Sequence, residues 1–210
     1  MLSSNQAPPS LESLDVALRT LPVPDQHFHG VHFYSDERAW CRIAADFIAD
    51  GLRRHEAIVA IVTPAHHVRI LERLLALDRS VPDLLDTQSL RLLDADDTLR
   101  LFMRETGPDA ELFHRHVGGI VRAAAESRSP ARVRACGEMV DLLCQQGRQA
   151  DAIRLEMLWN ELATTADLSL LCSYATHSFR KQIVPSGVVV QHTHLLNENG
   201  AAVDVPVATA

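Results

Sequence analysis

The chain has 210 residues, 47 % of them apolar, and a net charge of −7 at pH 7. That is ample for the core of one domain with extensions. The acidic balance argues against direct nucleic-acid binding, which calls for a basic surface, and the longest apolar runs, such as 57–62, are far too short to span a membrane.

Leu11, Leu14, Leu18 and Leu21 fall on one helical face behind Ser10, and Pro22 and Pro24 stop that helix. This predicts a short docking helix on an N-terminal arm, residues 1–26, with 1–9 mobile. The main body, 27–182, alternates strand and helix patterns. A short strand at 31–34 precedes a helix with Trp40, Ile43, Ala44, Phe47, Ile48 and Gly51 at 3.6-residue spacing. Residues 57–63 form a continuous β-branched run, as expected for a strand covered on both faces. A helix at 64–77 follows, with Pro64 acceptable in its first turn. Strand 90–93, a helix capped by Asp94 and a long amphipathic helix at 109–127 come next. Strands at 132–136 and 168–172 flank a helix pair at 138–146 and 149–164, split at Gly147. Strands separated by helices predict an α/β fold with a mainly parallel central sheet and helices on both faces. In the tail, 183–210, two extended stretches at 188–196 and 201–207 flank Asn199-Gly200, a strong hairpin signal. Pro206 confines the second arm to an outer position, so the expected element is an edge hairpin that caps the sheet or pairs with another subunit.

Ligands of open parallel sheets bind beyond the carboxyl ends of the strands. That rule selects Tyr34-Ser35-Asp36, Thr63-Pro64, Asp94, Gly137-Glu138 and Ser173-Tyr174. Glu138 opens a helix, where the positive terminus favours a carboxylate; a plain helix-start acid fits equally well. Glu156, Trp159 and Asn160 lie at i, i+3 and i+4 and share a helix face, suited to a pocket wall. The alternative is a core tryptophan with Glu156 paired to Arg154 or Arg132. His32 and Tyr34 share one strand face. His27 and His29 could chelate a metal with a distant acid, but no second ligand cluster has convincing spacing, and no metal is assigned. His66-His67 and His114/His116 read as exposed helix residues, and His192/His194 fall on the tail strand. Cys41, Cys136, Cys144 and Cys172 show no C-x-x-C spacing and read as buried free thiols of a cytoplasmic protein. The N-terminus lacks a signal-peptide layout.

Nucleophilic catalysis finds no G-x-S-x-G and no cysteine with a histidine beside it in sequence. The segment 47–63, FIADGLRRHEAIVAIVT, is similar to the helix and strand that follow a P-loop in RecA/KaiC-type ATPases. The phosphate loop itself, G-x-x-x-x-G-K-S/T, is replaced by Tyr34-Ser35-Asp36-Glu37-Arg38, whose acids would repel phosphate. The expectation is therefore a non-enzyme without a cofactor.

The combination of His32-Phe33-Tyr34, Phe47-Ile48-x-x-Gly51-Leu52, Gly137-Glu138-Met139, Leu155-Glu156-x-x-Trp159-Asn160-x-Leu162 and Leu170-Leu171-Cys172-x-Tyr174 resembles the MEDS family over about residues 27–182. MEDS is the methanogen/methylotroph sensory domain, described in a dichloromethane-responsive repressor. The resemblance implies a RecA/KaiC-like scaffold without a P-loop, used as a sensory input module for small hydrocarbon derivatives and often fused to histidine kinases or DNA-binding domains. One departure is His55, where the family typically has glycine before the acid at Glu56. The expected site comprises His32, Tyr34, Glu138, Glu156, Trp159, Asn160, Cys172 and Tyr174, taking a small, partly apolar ligand. A signalling partner in trans, a histidine kinase or transcription regulator, would read its occupancy. The competing expectation is a ligand-free protein–protein adaptor.

Overall fold

The computed structural model describes residues 28–77, 80–127, 132–179 and 186–205. The expected N-terminal helix, His27 and Pro206 lie outside the described residues. A seven-stranded sheet forms the centre, built from β1 (His29–Tyr34), β2 (Ala57–Val62), β3 (Leu90–Asp94), β6 (Val133–Gly137), β7 (Leu168–Ala175), β8 (His194–Leu196) and β9 (Ala202–Asp204). Its order is β3-β2-β6-β7-β1-β8-β9. Every pairing in it is parallel except β8 with β9. The helices are α1 (Glu37–Arg53), α2 (Pro64–Leu77), α3 (Val81–Asp86), α4 (Ala95–Phe102), α5 (Ala110–Glu126), α6 (Met139–Gln145), α7 (Gln149–Ala163) and α8 (Ser186–Val189). A small hairpin of β4 (Met103–Arg104) and β5 (Gly107–Pro108) stands apart from the main sheet.

The helix starts follow from short acids. Asp36, Asp94 and Asp109 each accept a backbone N–H in the first turn of α1, α4 and α5, which satisfies donors that the helix leaves without partners. β2 is buried along its whole length, as its unbroken apolar run requires. Two layers of core cover the sheet. On one face Val31, Val59, Ile61, Ala135, Leu170 and Cys172 meet α4 to α7. On the other, Ile58, Ala60, Val62, Cys136 and Leu171 meet α1 and α2. The two-residue side-chain period of a strand decides which layer each residue enters. All four cysteines are buried and free.

The tail corrects one element. Residues 186–189 form a helical turn, α8, and only His194–Leu196 continue as strand. β8 lies parallel to β1, and the chain returns as β9 through a turn in which Asn197 Oδ1 accepts the N–H groups of Asn199 and Ala201. Gly200 takes φ 85° there, a conformation glycine adopts without strain. Two further elements, α3 and the β4–β5 hairpin, have no counterpart in the periodicity because each is too short to show one.

Candidate functional site

α2 and α6, which follow β2 and β6, leave towards opposite faces of the sheet, so the connections diverge from the carboxyl ends of these two paired strands. Such a switch point is where open α/β sheets hold ligands. Glu138 occupies it. Its side chain makes no capping bond to α6. Oε1 instead accepts the Thr63 N–H, and Oε2 lies 2.6 Å from His66 Nδ1. His66 is thus buried against a carboxylate, not exposed on its helix as its sequence position suggested. Burial alone would lower its pKa, but the hydrogen bond and charge of Glu138 outweigh burial and raise it.

A second polar cluster lies deeper, beneath α7. Glu156 on α7 is fully buried. Tyr174 donates to its Oε1 at 2.6 Å and the Cys172 thiol to its Oε2 at 3.2 Å. His29 Nε2 stands 3.2 Å from Oε2, and His192 Nε2 3.2 Å from Oε1. Neither Arg154 nor Arg132 pairs with Glu156; Arg132 faces Glu56 and Asp167, and Arg154 faces Asp151. Burial would push the Glu156 carboxyl up, yet the two histidines, His192 foremost, hold it well below the usual carboxylate range. Burial first, and then the Glu156 charge, push the Cys172 thiol and the Tyr174 phenol well above their ordinary values.

The geometry has local causes. Cys172 and Tyr174 are two apart on β7 and so point to the same face, while Glu156 and Asn160 are one helical turn apart on α7. Asn160 Oδ1 lies 2.8 Å from His29 Nδ1, and its amide donates to the Gln191 carbonyl at 3.0 Å. The turn carrying His192 is pinned to β1 by Thr193, whose N–H donates to the His29 carbonyl and whose hydroxyl accepts the His29 N–H.

Of the eight residues singled out in the sequence, the structure joins Glu156, Asn160, Cys172 and Tyr174. Trp159 packs edge-on against Phe113 at 5.3 Å, next to this group. Glu138 does not join it and belongs to the switch-point cluster. His32 and Tyr34 lie on the opposite face, stacked with Trp40 at 6.2 and 5.9 Å, because odd-numbered residues of β1 face α7 and even-numbered ones face α1. The parity of β1 therefore brings in His29 instead. His192 carried no local signal, since it reaches the site only through the fold-back of the tail.

Between the two clusters runs an apolar cavity lined by Ile61, Ala135, Gly137, Val140, Trp159 and Cys172. The room it leaves for the centre of a water-sized sphere is about 20 Å³, enough for one or two waters or a molecule of a few heavy atoms. Among the described residues, no helix is long and apolar enough to cross a membrane.

Comparison with protein families matches residues 28–190 to MEDS, the MEthanogen/methylotroph, DcmR Sensory domain. A search of curated proteins returned no match.

Proposed function

The chain belongs to the MEDS family of sensory domains, and from that footing we propose that it detects a small, partly apolar molecule in the cavity beside Cys172 and Trp159. The observation that carries this reading is the cavity itself. Its walls are apolar, it opens beneath the switch point of the sheet, and one side is Cys172, part of a buried polar cluster. A ligand of a few heavy atoms gains apolar burial there and meets a polar group at one end. Small hydrocarbon derivatives, such as halogenated methanes or short alcohols, have that chemistry.

The relay runs to a partner in trans, of the histidine-kinase or transcription-regulator type. The tail offers a surface for it, since Val190 and Val203 are 63 % and 59 % exposed and β9 is an edge strand. The same exposed residues favour the second reading, a ligand-free adaptor.

Thermal unfolding in the presence of dichloromethane, methanol and ethanol tests the first reading. A ligand at one hundred times its Kd stabilises by about 2.7 kcal/mol. Ala135→Val fills the cavity with two methyl groups on an already extended strand and should remove the Tm shift while keeping the fold. A shift of undiminished size in that variant would place the ligand elsewhere. No shift with any probe, together with partner capture that depends on residues 186–205, would favour the adaptor.

A further inference from the structure

We propose that His29, Glu156, Cys172 and His192 form a binding site for one divalent metal ion of the zinc type, and that the ion staples the C-terminal segment to the core. The four donor atoms all lie within 4.8 Å of one another, and all four residues are buried. The separations are 3.2 Å for His29 Nε2 to Glu156 Oε2, 3.4 Å for His29 Nε2 to Cys172 Sγ, and 3.2 Å for Cys172 Sγ to Glu156 Oε2. A tetrahedron with metal–ligand bonds of about 2.0–2.3 Å has edges of about 3.3–3.8 Å. Three of the donors thus sit at nearly the spacing that an ion between them demands, and His192 Nε2, 3.2 Å from the other Glu156 oxygen and within 4.8 Å of the rest, closes in on binding.

The surroundings of the histidines point the same way. His29 Nδ1 is bonded to Asn160 Oδ1, a pure acceptor, and His192 Nδ1 to the Val188 carbonyl at 2.8 Å. Each ring therefore carries its proton on Nδ1 and turns the Nε2 lone pair inward, which is how metal-binding histidines are held. His192 Nε2 is buried, aimed into the cluster and without a hydrogen-bond partner. Without an ion, a proton on an imidazole Nε2 must bridge to the Glu156 carboxylate; a divalent cation takes the place of that proton and engages all four groups at once.

Charge closes the case. A divalent ion with two neutral imidazoles, one carboxylate and one thiolate sums to zero, the condition a buried site requires. Coordination displaces the Cys172 thiol proton into solvent. Four protein ligands leave no open position, so the site is structural in type and not hydrolytic. Three ligands come from β1, α7 and β7, and His192 alone comes from the segment after α8. Occupancy therefore governs how firmly that segment is held.

The test uses the full chain, stripped with chelator and titrated with Co²⁺ alone and Zn²⁺ alone. The wild type should take up one equivalent of Co²⁺, giving four-coordinate visible bands and a thiolate-to-cobalt charge-transfer band. Cys172→Ser should lose the charge-transfer band, while Cys136→Ser and Cys144→Ser keep it. His192→Ala should weaken Zn²⁺ binding by at least about tenfold, and the positioning variant Asn160→Ala by about 10–100-fold with the charge-transfer band retained. A folded wild type that shows neither band and takes up no Zn²⁺ overturns the proposal, as does a band that survives in Cys172→Ser. Should Cys172→Ser not fold, the wild-type titration and His192→Ala decide. Ala135→Val leaves all four ligands in place, so metal binding and detection of a small ligand fail separately.

Discussion

His55 ends α1 with φ 60°, the left-handed conformation that favours glycine. The backbone needs it: the Glu56 N–H turns back to the Gly51 carbonyl at 2.9 Å, closing the helix before β2 begins. A side chain there carries steric strain of about 1–2 kcal/mol, part of which glycine returns as lost chain freedom. His55→Gly should therefore stabilise the protein by about 0.5–1 kcal/mol, read as a rise in Tm of roughly 1–4 °C. An unchanged or lower Tm would show that the His55 side chain contributes something the turn geometry does not reveal.

Also at the residue scale, the Glu138–His66 pair ties the sheet's switch point to α2. The folded protein raises the His66 pKa above its ordinary 6.5 because Glu138 outweighs burial. A group whose pKa is raised on folding adds stability that is fully present below its unfolded value and lost as pH rises through its folded one. The difference in unfolding free energy between wild type and Glu138→Gln should accordingly be largest below pH 6.5 and shrink above it. Urea unfolding across a pH series checks this; a difference that is flat with pH, or grows on the alkaline side, contradicts the assignment.

Among the elements, α1, β2 and β6 are held by a charged knot that sequence periodicity could not show. Arg134 is fully buried and reaches Glu56 at 2.6 Å, Asp50 at 2.9 Å and the Phe47 carbonyl at 3.0 Å. Its guanidinium also lies 4.7 Å from the centre of the Phe47 ring. Gly51 leaves room for it, since a Cβ there would stand 3.0 Å from the Arg134 side chain. Removing one partner from such a knot leaves buried charge uncompensated, at about 3–5 kcal/mol. Arg134→Leu should lower stability by that amount in urea unfolding, with most of the loss recovered when Glu56→Gln and Asp50→Asn are added. If the three changes merely add, the knot is not a coupled unit.

Element types were legible where a period had length to declare itself. The seventeen residues of α1 and the unbroken run of β2 are such cases. At 188–196, β-branched residues suggested a strand, but 186–189 coil into a turn of helix that delivers Val188 to the core and its carbonyl to His192. Tertiary packing overrode local propensity there. The site was half legible for a related reason. Glu156 with Asn160, and Cys172 with Tyr174, are local pairs whose spacing declares a shared face. His29 depends on which face of β1 meets α7, and His192 on a contact 163 residues away in the chain (192 − 29).

At the scale of the whole molecule, the tail completes the polar cluster and is also the least enclosed part of the sheet. The segment 186–205 holds to the core through the short β1–β8 pairing and a set of side-chain points that include Val188 in the apolar layer, His192 against Glu156, Asn160 gripping Gln191, and Thr193 bonded to both backbone groups of His29. Local opening of such a segment draws on those contacts and not on the global stability. Thr193→Val keeps the side-chain shape and removes the hydroxyl that accepts the His29 N–H. A lost hydrogen bond of this kind is worth about 0.5–1.5 kcal/mol, so amide exchange in 186–205 should quicken by roughly three- to tenfold. Exchange in β2 and β6, which lie three or more strands from the tail, should not change. A uniform acceleration across the sheet would mean that the tail opens only with the whole domain. Confinement to the tail would mean that it moves as a separate unit.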